Sequence, residues 1–253
     1  MTAWQNQPII RVRKGRYLFT FFINISAGVG GKCSMEGKRL TSYAMEELEC
    51  PKCGHKHSLK KYKVINVTEK AKLKEEIMKN RLYQFSCEEC EYMAPLTYDS
   101  LYVDSQRNLM SYMAPVMNAE IKAEIAELEQ EKGIDKRLVD NINDLKEKIM
   151  IVDNHLDDRV IEIIKIMYLD QIKKEMEDDT LLNILFDYNR DNYCFLVFFQ
   201  KKGIGKIPLT REFYRQVEDK YKEAIKEHST DGFMKIDMEW AGKILFKNHN
   251  KFN

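Results

Sequence analysis

The chain has 253 residues, of which 44% are hydrophobic and 32% charged. That is enough apolar material for one large packed domain or two small ones, and it excludes global disorder. A formal net charge of +1 gives no bulk attraction to nucleic acid or anionic lipid, so binding of either would need a local patch.

In chain order, residues 1–44 form a leader open to three readings. Arg11, Arg13, Lys14 and Arg16 precede the apolar run Tyr17-Leu18-Phe19-Thr20-Phe21-Phe22-Ile23. A basic flank before a short apolar run is the outline of an export signal. The run is too short to span a bilayer, and Gly30-Gly31-Lys32 is a poor cleavage site. A strand or an unstructured leader is the preferred reading. A natural start at Met45, just before the first cysteine pair, is the third.

Residues 45–115 hold two Cys-x-x-Cys pairs among strand-like runs. Tyr62-Lys63-Val64-Ile65-Asn66-Val67 is β-branched and reads as a strand. Thr68 is placed to cap a short helix with Leu73, Ile77 and Met78 on its apolar side and Asn80 at its end. Leu82-Tyr83-Gln84-Phe85 alternates into Cys87. Leu96–Val103 and Leu109–Met113 look like a closing hairpin. The expectation is a small antiparallel sheet carrying one helix.

Residues 116–178 read as helical. Ile121, Ile125 and Leu128 recur at helical spacing, Gly133 interrupts, and Leu138, Ile142, Leu145, Ile149, Val152 and Leu156 resume it. A third helix starts at Asp157 or Asp158 and carries Val160, Ile163, Ile164, Met167 and Tyr168, since an aspartate there accepts from unpaired backbone N–H groups. Residues 179–250 alternate as strands over Leu181–Phe186 and Tyr193–Phe199, with a turn at Asn189-Arg190-Asp191-Asn192. Ile207 follows Gly203 and Gly205, and Thr210 caps a helix bearing Phe213, Val217 and Tyr221. The predicted class is α+β: a zinc-ribbon-like antiparallel sheet with an inserted helix, a central helical segment, and a small C-terminal α+β module.

Cys50-Pro51-Lys52-Cys53-Gly54 has the chemistry of a metal knuckle. Two intervening residues let one tight turn aim both sulfurs at a common ion, proline fixes φ, and glycine takes a φ that side chains resist. Cys87-Glu88-Glu89-Cys90 supplies a second pair. Together Cys50, Cys53, Cys87 and Cys90 are expected to hold one structural Zn²⁺ in a closed tetrahedral site. Iron–sulfur ligation is an alternative. A redox dithiol would need a βαβ context that is missing around these cysteines. The gap of 33 residues between Cys53 and Cys87 exceeds the usual ribbon spacing. Glu91 stands where Gly54 stands in the first knuckle, which predicts a weaker knuckle or a different backbone there.

The six cysteines, with Cys33 and Cys194 outside both pairs, do not make the even framework of a small secreted domain and fit a reducing cytoplasm. Cys33 reads as an ordinary thiol and Cys194, between Tyr193 and Phe195, as core. His55 and His57 adjoin the first knuckle, where they could replace a ligand or tune the site; with four cysteines present they read as surface histidines. Lys56, Lys60, Lys61 and Lys63 with Tyr62, extended by Lys72, Lys74 and Lys79, suggest a nucleic-acid patch, but Glu69, Glu75, Glu76, Glu88, Glu89 and Glu91 dilute it into a mixed solvated face. Asp153, His155, Asp157 and Asp158 cluster at a helix junction and read as capping groups rather than catalysts. Gly203-Ile204-Gly205-Lys206 is too short for a phosphate loop. With no nucleophile–base pair and no nucleotide fingerprint, no catalytic and no organic-cofactor residue is assigned.

Cys50-Pro51-Lys52-Cys53-Gly54, Ile65-Asn66-Val67-Thr68, the Leu73–Met78 helix and Phe85-Ser86-Cys87-Glu88-Glu89-Cys90 together resemble the CpXC domain of bacteria and archaea, a family without an assigned activity. Asp157-Asp158-Arg159-Val160-Ile161-Glu162 and Ile204-Gly205-Lys206-Ile207-Pro208 look like segments of its longer members, so the resemblance covers about residues 46–242. It implies metal binding by the four cysteines and supplies no reaction. The expected role is a cytoplasmic, non-catalytic binding or scaffold module with a protein partner and no membrane. Weak, electrostatic nucleic-acid binding is the first rival, and an enzyme with an unrecognised site is the second.

Overall fold

The computed structural model describes residues 10–11, 40–175, 178–189 and 192–249. The apolar run Tyr17–Ile23 and Cys33 lie outside the described residues, as do Arg190 and Asp191 of the expected turn. The chain divides into two units, residues 1–105 and 106–253. The protein is α+β, with six α-helices and three sheets among the described residues. None of these helices is long and apolar enough to cross a membrane.

The first unit contains β1 (Ile10–Arg11), β2 (Ser42–Glu49), β3 (Lys56–Asn66), α1 (Lys72–Met78), a 3-10 turn (Arg81–Tyr83), β4 (Gln84–Ser86), β5 (Met93–Thr97) and β6 (Ser100–Asp104). Strands β2 and β3 form an antiparallel hairpin, and β4 and β5 form another. β1 lies parallel to β5, with Ile10 opposite Leu96. β3 runs parallel to β6, Val64 opposite Leu101. The sheet expected to be antiparallel is therefore mixed. The reason is the connection: the helix and the second hairpin lie between β3 and β6, and a crossover of that length permits a parallel return. Strand β2 begins at Ser42 and crosses the boundary expected between residues 44 and 45.

Thr68 does not cap α1. Its hydroxyl accepts from the Ser105 backbone N–H at 2.8 Å, and α1 starts at Lys72 with no side-chain cap. Leu73 and Ile77 turn inward as their spacing predicts, and Asn80 ends the helix in the left-handed region at φ 62°. Ile65, Ile77, Tyr83, Phe85 and Tyr102 are among the buried apolar side chains of this unit.

The second unit contains β7 (Leu109–Met113), α2 (Ala119–Leu128), β8 (Asp135–Val139), α3 (Ile142–Asp153), α4 (Asp158–Glu175), β9 (Leu181–Asn189), β10 (Asn192–Phe199), β11 (Gly203–Leu209), α5 (Arg211–Glu227) and α6 (Met238–His249). β7 and β8 are parallel, joined by α2, with Tyr112 opposite Leu138. Leu138 was expected on a helix. Its four-residue spacing to Ile142 spans a strand end and a new helix start, because Asn141 caps α3 by accepting from the Asn143 and Asp144 N–H groups at 2.9 and 3.1 Å.

β9, β10 and β11 form an antiparallel sheet with β10 central. Along β10 the odd positions Tyr193, Phe195, Val197 and Phe199 are buried and the even ones only half-buried. Cys194 thus faces away from the core it was expected to join, its sulfur 3.9 Å from the Asp187 carboxylate. Thr210 caps α5 as the sequence predicts, accepting from the Phe213 N–H at 3.1 Å. One apolar cluster packs α4, the β9–β11 sheet, α5 and α6, with Ile163, Ile164, Phe195, Val217 and Ile244 among its buried members.

Candidate metal centre

Each Cys-x-x-Cys pair forms the loop of its own hairpin. The two loops share one backbone design. In the first, the Gly54 N–H donates to the Cys50 carbonyl at 2.9 Å, and the Cys50 N–H to the His55 carbonyl at 2.8 Å. In the second, the Glu91 N–H donates to the Cys87 carbonyl at 3.0 Å, and the Cys87 N–H to the Tyr92 carbonyl at 2.8 Å. Gly54 has φ +74° and Glu91 φ +56°. Glu91 therefore does not change the knuckle geometry. It adopts the left-handed backbone that glycine takes without steric cost, and it carries the strain.

The four sulfurs lie within 4.8 Å of one another. Cys50 Sγ is 3.7 Å from Cys90 Sγ, and Cys53 Sγ is 3.6 Å from Cys87 Sγ. None of the four cysteines is disulfide-bonded. Sulfurs at roughly 2.3 Å from a central zinc stand about 3.8 Å apart along the edges of a tetrahedron. The Cys50–Cys90 and Cys53–Cys87 edges match that figure, and all four sulfurs lie within 4.8 Å of one another. The donor set fits a metal ion that accepts four thiolates and leaves no open position.

Electrostatics leads to the same fit. Burial raises the Cys50 thiol, but the backbone N–H groups of Cys53 and Lys52 outweigh it and bring it down to about 7. The backbone at His55 lowers Cys53, yet burial and the three neighbouring sulfurs push it up to about 12. Burial also raises Cys90. Cys50 is poised to ionise while Cys53 and Cys90 resist, because thiolates at van der Waals contact repel. A divalent cation at their centre removes that repulsion.

His57 sits beside this cluster. Its Nε2 is 3.2 Å from Cys87 Sγ, and its ring packs edge-on against Phe85 at 5.3 Å. It can donate a hydrogen bond to a sulfur that already has a metal to hold. His55 is exposed and touches His57 ring to ring at 4.8 Å. The signal for His57 in the sequence is strand alternation alone: in β3 the odd positions 57, 59 and 61 are half-buried.

The basic run divides between the two faces of β3. Lys60 reaches over the Tyr43 ring at 4.9 Å, and Tyr43 packs on Tyr62 at 5.7 Å. Lys61 pairs with Glu46 at 3.5 Å and Lys63 with Asp99 at 3.5 Å. Lys74 pairs with Asp104 at 2.8 Å, and Lys79 with Glu75. Gly203–Lys206 opens β11 and forms no phosphate loop.

The cluster Asp153, His155, Asp157 and Asp158 separates in function. Asp157 caps α4, accepting from the Arg159 N–H at 2.8 Å, and also grips the Arg159 guanidinium. Asp153 pairs with Arg107 at 3.1 Å. Asp158 is buried and belongs to a charge network that the sequence reading missed. Arg137 from β8 holds it with two nitrogens at 2.8 Å, and Lys148 from α3 lies 3.1 Å away. Lys148 also contacts Glu162 at 3.3 Å, Glu162 contacts Lys165 at 2.9 Å, and Lys165 contacts Glu147 at 2.8 Å. All six groups are buried. The sequence signal is charge at i, i+4 and i+7 (Asp158, Glu162, Lys165), two of the three set inside the apolar run Val160–Met167 of α4.

Three cations and three anions balance in this network. Burial alone would raise the Asp158 carboxyl, but Arg137 and Lys148 outweigh it and hold it well below the usual carboxylate range. Burial would lower Lys165, but Glu147 and Glu162 hold it above its ordinary value. Burial dominates at Glu162 and raises it despite Lys165 and Lys148.

The fold is α+β and presents, on two like Cys-x-x-Cys knuckles, four thiols close enough together to hold a metal ion. The family model described as CpXC protein matches residues 48–165, which include all four cysteines. The match spans a little under half of the chain. The match runs from the end of β2 into α4, and the Ile204–Pro208 segment that resembles longer members lies beyond it. No curated protein and no solved structure matches the chain.

Proposed function

We propose that the chain binds one zinc ion through Cys50, Cys53, Cys87 and Cys90, and that the ion is a structural staple in a non-catalytic binding or scaffold module. The sulfur–sulfur spacing carries this reading, since edges of 3.7 and 3.6 Å suit tetrahedral thiolate ligation and leave no coordination position for a substrate. The ion joins the loops of two hairpins, the second of which has strands of only 3 and 5 residues, so metal binding supplies folding energy to the first unit. Thiolate ligation needs reduced cysteines, which favours a reducing compartment such as the cytoplasm. A protein partner is the preferred occupant of the module's surface. The sharing of Lys61 and Lys63 with carboxylates weighs against nucleic acid, while Lys60 with Tyr43 and Tyr62 is the feature that would serve it.

Metal analysis of protein purified without chelator tests the zinc. About one zinc per chain is expected, lost in Cys50→Ser and Cys87→Ser and kept in Cys194→Ala. Iron with visible charge-transfer absorption, or no metal at all, would replace the reading.

A further inference from the structure

The second unit contains a cavity of about 440 Å³ that the metal site does not use. Arg137, Lys148 and Asp158, the upper end of the buried charge network, line it. Its walls are completed by polar groups that are less deeply placed, among them Arg107, Arg159, Asp135 and Glu218. Drug-sized ligand sites begin at about 300 Å³, so the space suits a small metabolite. Most such cavities are apolar, and this one is charged.

Four cations (Arg107, Arg137, Lys148, Arg159) face four anions (Asp135, Asp157, Asp158, Glu218) across these walls. Balanced walls discriminate by sign. A simple anion would gain from one set and be repelled by the other, and a simple cation likewise. A ligand with one charge of each sign can orient so that each end meets its opposite. Several pairs are already satisfied within the walls: Arg137 with Asp158, and Arg159 with Asp157. Other wall groups lie nearer the solvent. Arg107 is 34% exposed with Asp153 at 3.1 Å, Asp135 is 54% exposed and 3.9 Å from Arg137, and Glu218 accepts a 3.3 Å bond from the Tyr214 hydroxyl. A carboxylate suits Arg107, and an ammonium suits Glu218 and Asp135.

The backbone around the cavity supports a built site. Two of its wall residues, Asn108 and His155, hold positive φ of 55° and 57°. His155 brings its Nε2 to 3.5 Å from the Arg107 guanidinium. Left-handed backbone at non-glycine residues persists where surrounding structure enforces it, and such positions concentrate at ligand sites.

We propose that this cavity binds a small zwitterion of amino-acid or dipeptide size, its carboxylate on Arg107 and its ammonium on Glu218 and Asp135. This inference is independent of the zinc reading, because every residue it uses lies in the second unit.

Calorimetric titration of the full, metal-loaded chain tests it with glycine, L-alanine, L-glutamine and glycylglycine, against acetate and methylammonium at equal ionic strength. At least one zwitterion is expected to bind at about millimolar or tighter, and both single-charge probes about tenfold more weakly or not at all, since each charge-assisted contact is worth roughly a factor of ten. Arg107→Gln and Glu218→Gln should each weaken the zwitterion about tenfold and leave the melting temperature of the unliganded protein unchanged. Failure of all four zwitterions to bind overturns the proposal. So does binding of acetate or methylammonium as tight as any zwitterion, or full affinity in both variants.

Discussion

Two clusters of ionisable groups organise the two units, and they solve the problem of charge in opposite ways. In the first unit four thiols meet with contacts of 3.6 and 3.7 Å, and a metal cation at their centre would offset the charge of their ionised form. In the second unit Arg137, Lys148 and Lys165 balance Asp158, Glu162 and Glu147 within the fold. On the proposed reading, one unit draws folding energy from a bound metal ion, whereas the other carries its own compensation and depends on the completeness of its set. A buried pair adds little over apolar packing, but a broken one leaves an uncompensated buried charge.

The largest expected effect follows from removing the metal cation. Cys50→Ser or Cys87→Ser, or a strong chelator, should unfold the first unit, removing several kcal/mol in line with the metal-coupled folding of small sites. The second unit should keep its cooperative transition. Domain-resolved hydrogen exchange checks this, and loss of protection in both units together would erase the contrast. Falling pH should also expel the metal as the thiolates take up protons.

Next in size is damage to the balanced network. Asp158→Asn leaves Arg137 and Lys148 short of an anion and should cost about 3–5 kcal/mol, read from urea unfolding of the second unit. The pH dependence has a definite sign. The Asp158 carboxyl is depressed in the folded state, so its stabilisation is complete above the unfolded value of about 4 and is lost as pH falls below it. The Lys165 ammonium is raised, so its contribution is complete below about pH 10 and is lost as pH rises further. The second unit should thus hold a plateau between these limits, and Asp158→Asn should flatten the acid side. An unchanged acid limb in that variant would place the acid sensitivity elsewhere.

A smaller effect is expected in the knuckle backbone. Glu91 occupies φ +56°, and Glu91→Gly should stabilise the metal-loaded protein by up to about 1 kcal/mol through relief of left-handed strain. The reverse change, Gly54→Ala at φ +74°, should destabilise it by a similar amount. Paired melting curves decide both, and their signs must be opposite if the two loops are equivalent. Smallest of all, Cys194→Ala should change stability by less than about 1 kcal/mol and keep full metal content, because its side chain is only half-buried and faces away from the core.

Much of this was legible in the sequence because it is local. Cys-x-x-Cys fixes two sulfurs on one turn whatever surrounds it, alternation through Tyr193, Phe195, Val197 and Phe199 marks a half-buried strand, and Thr210 needs only its own backbone to cap α5. The two cysteine pairs and the type of many elements follow from such short-range rules. Other features depend on partners far along the chain. β8 was taken for helix because Leu138 and Ile142 share a helical spacing, and only pairing with β7 and with Met234 makes Asp135–Val139 extended. The parallel partnership of β3 and β6 was hidden by the intervening helix and hairpin.

The charge network shows why the remainder needed the tertiary structure. Nothing local marks Glu147 and Lys165 for burial, since burying an isolated charge costs far more than any local preference returns. What permits their burial is a set of opposite charges drawn from β8, α3 and α4, and no spacing rule encodes which charges will meet. The sequence by itself determined where a metal could be held, because a tight turn sets the distance between two sulfurs. The tertiary structure decided that the two knuckles meet at tetrahedral spacing, that His57 lies against Cys87, and that six charges can share one interior, because each of these is a distance between elements separated in the chain.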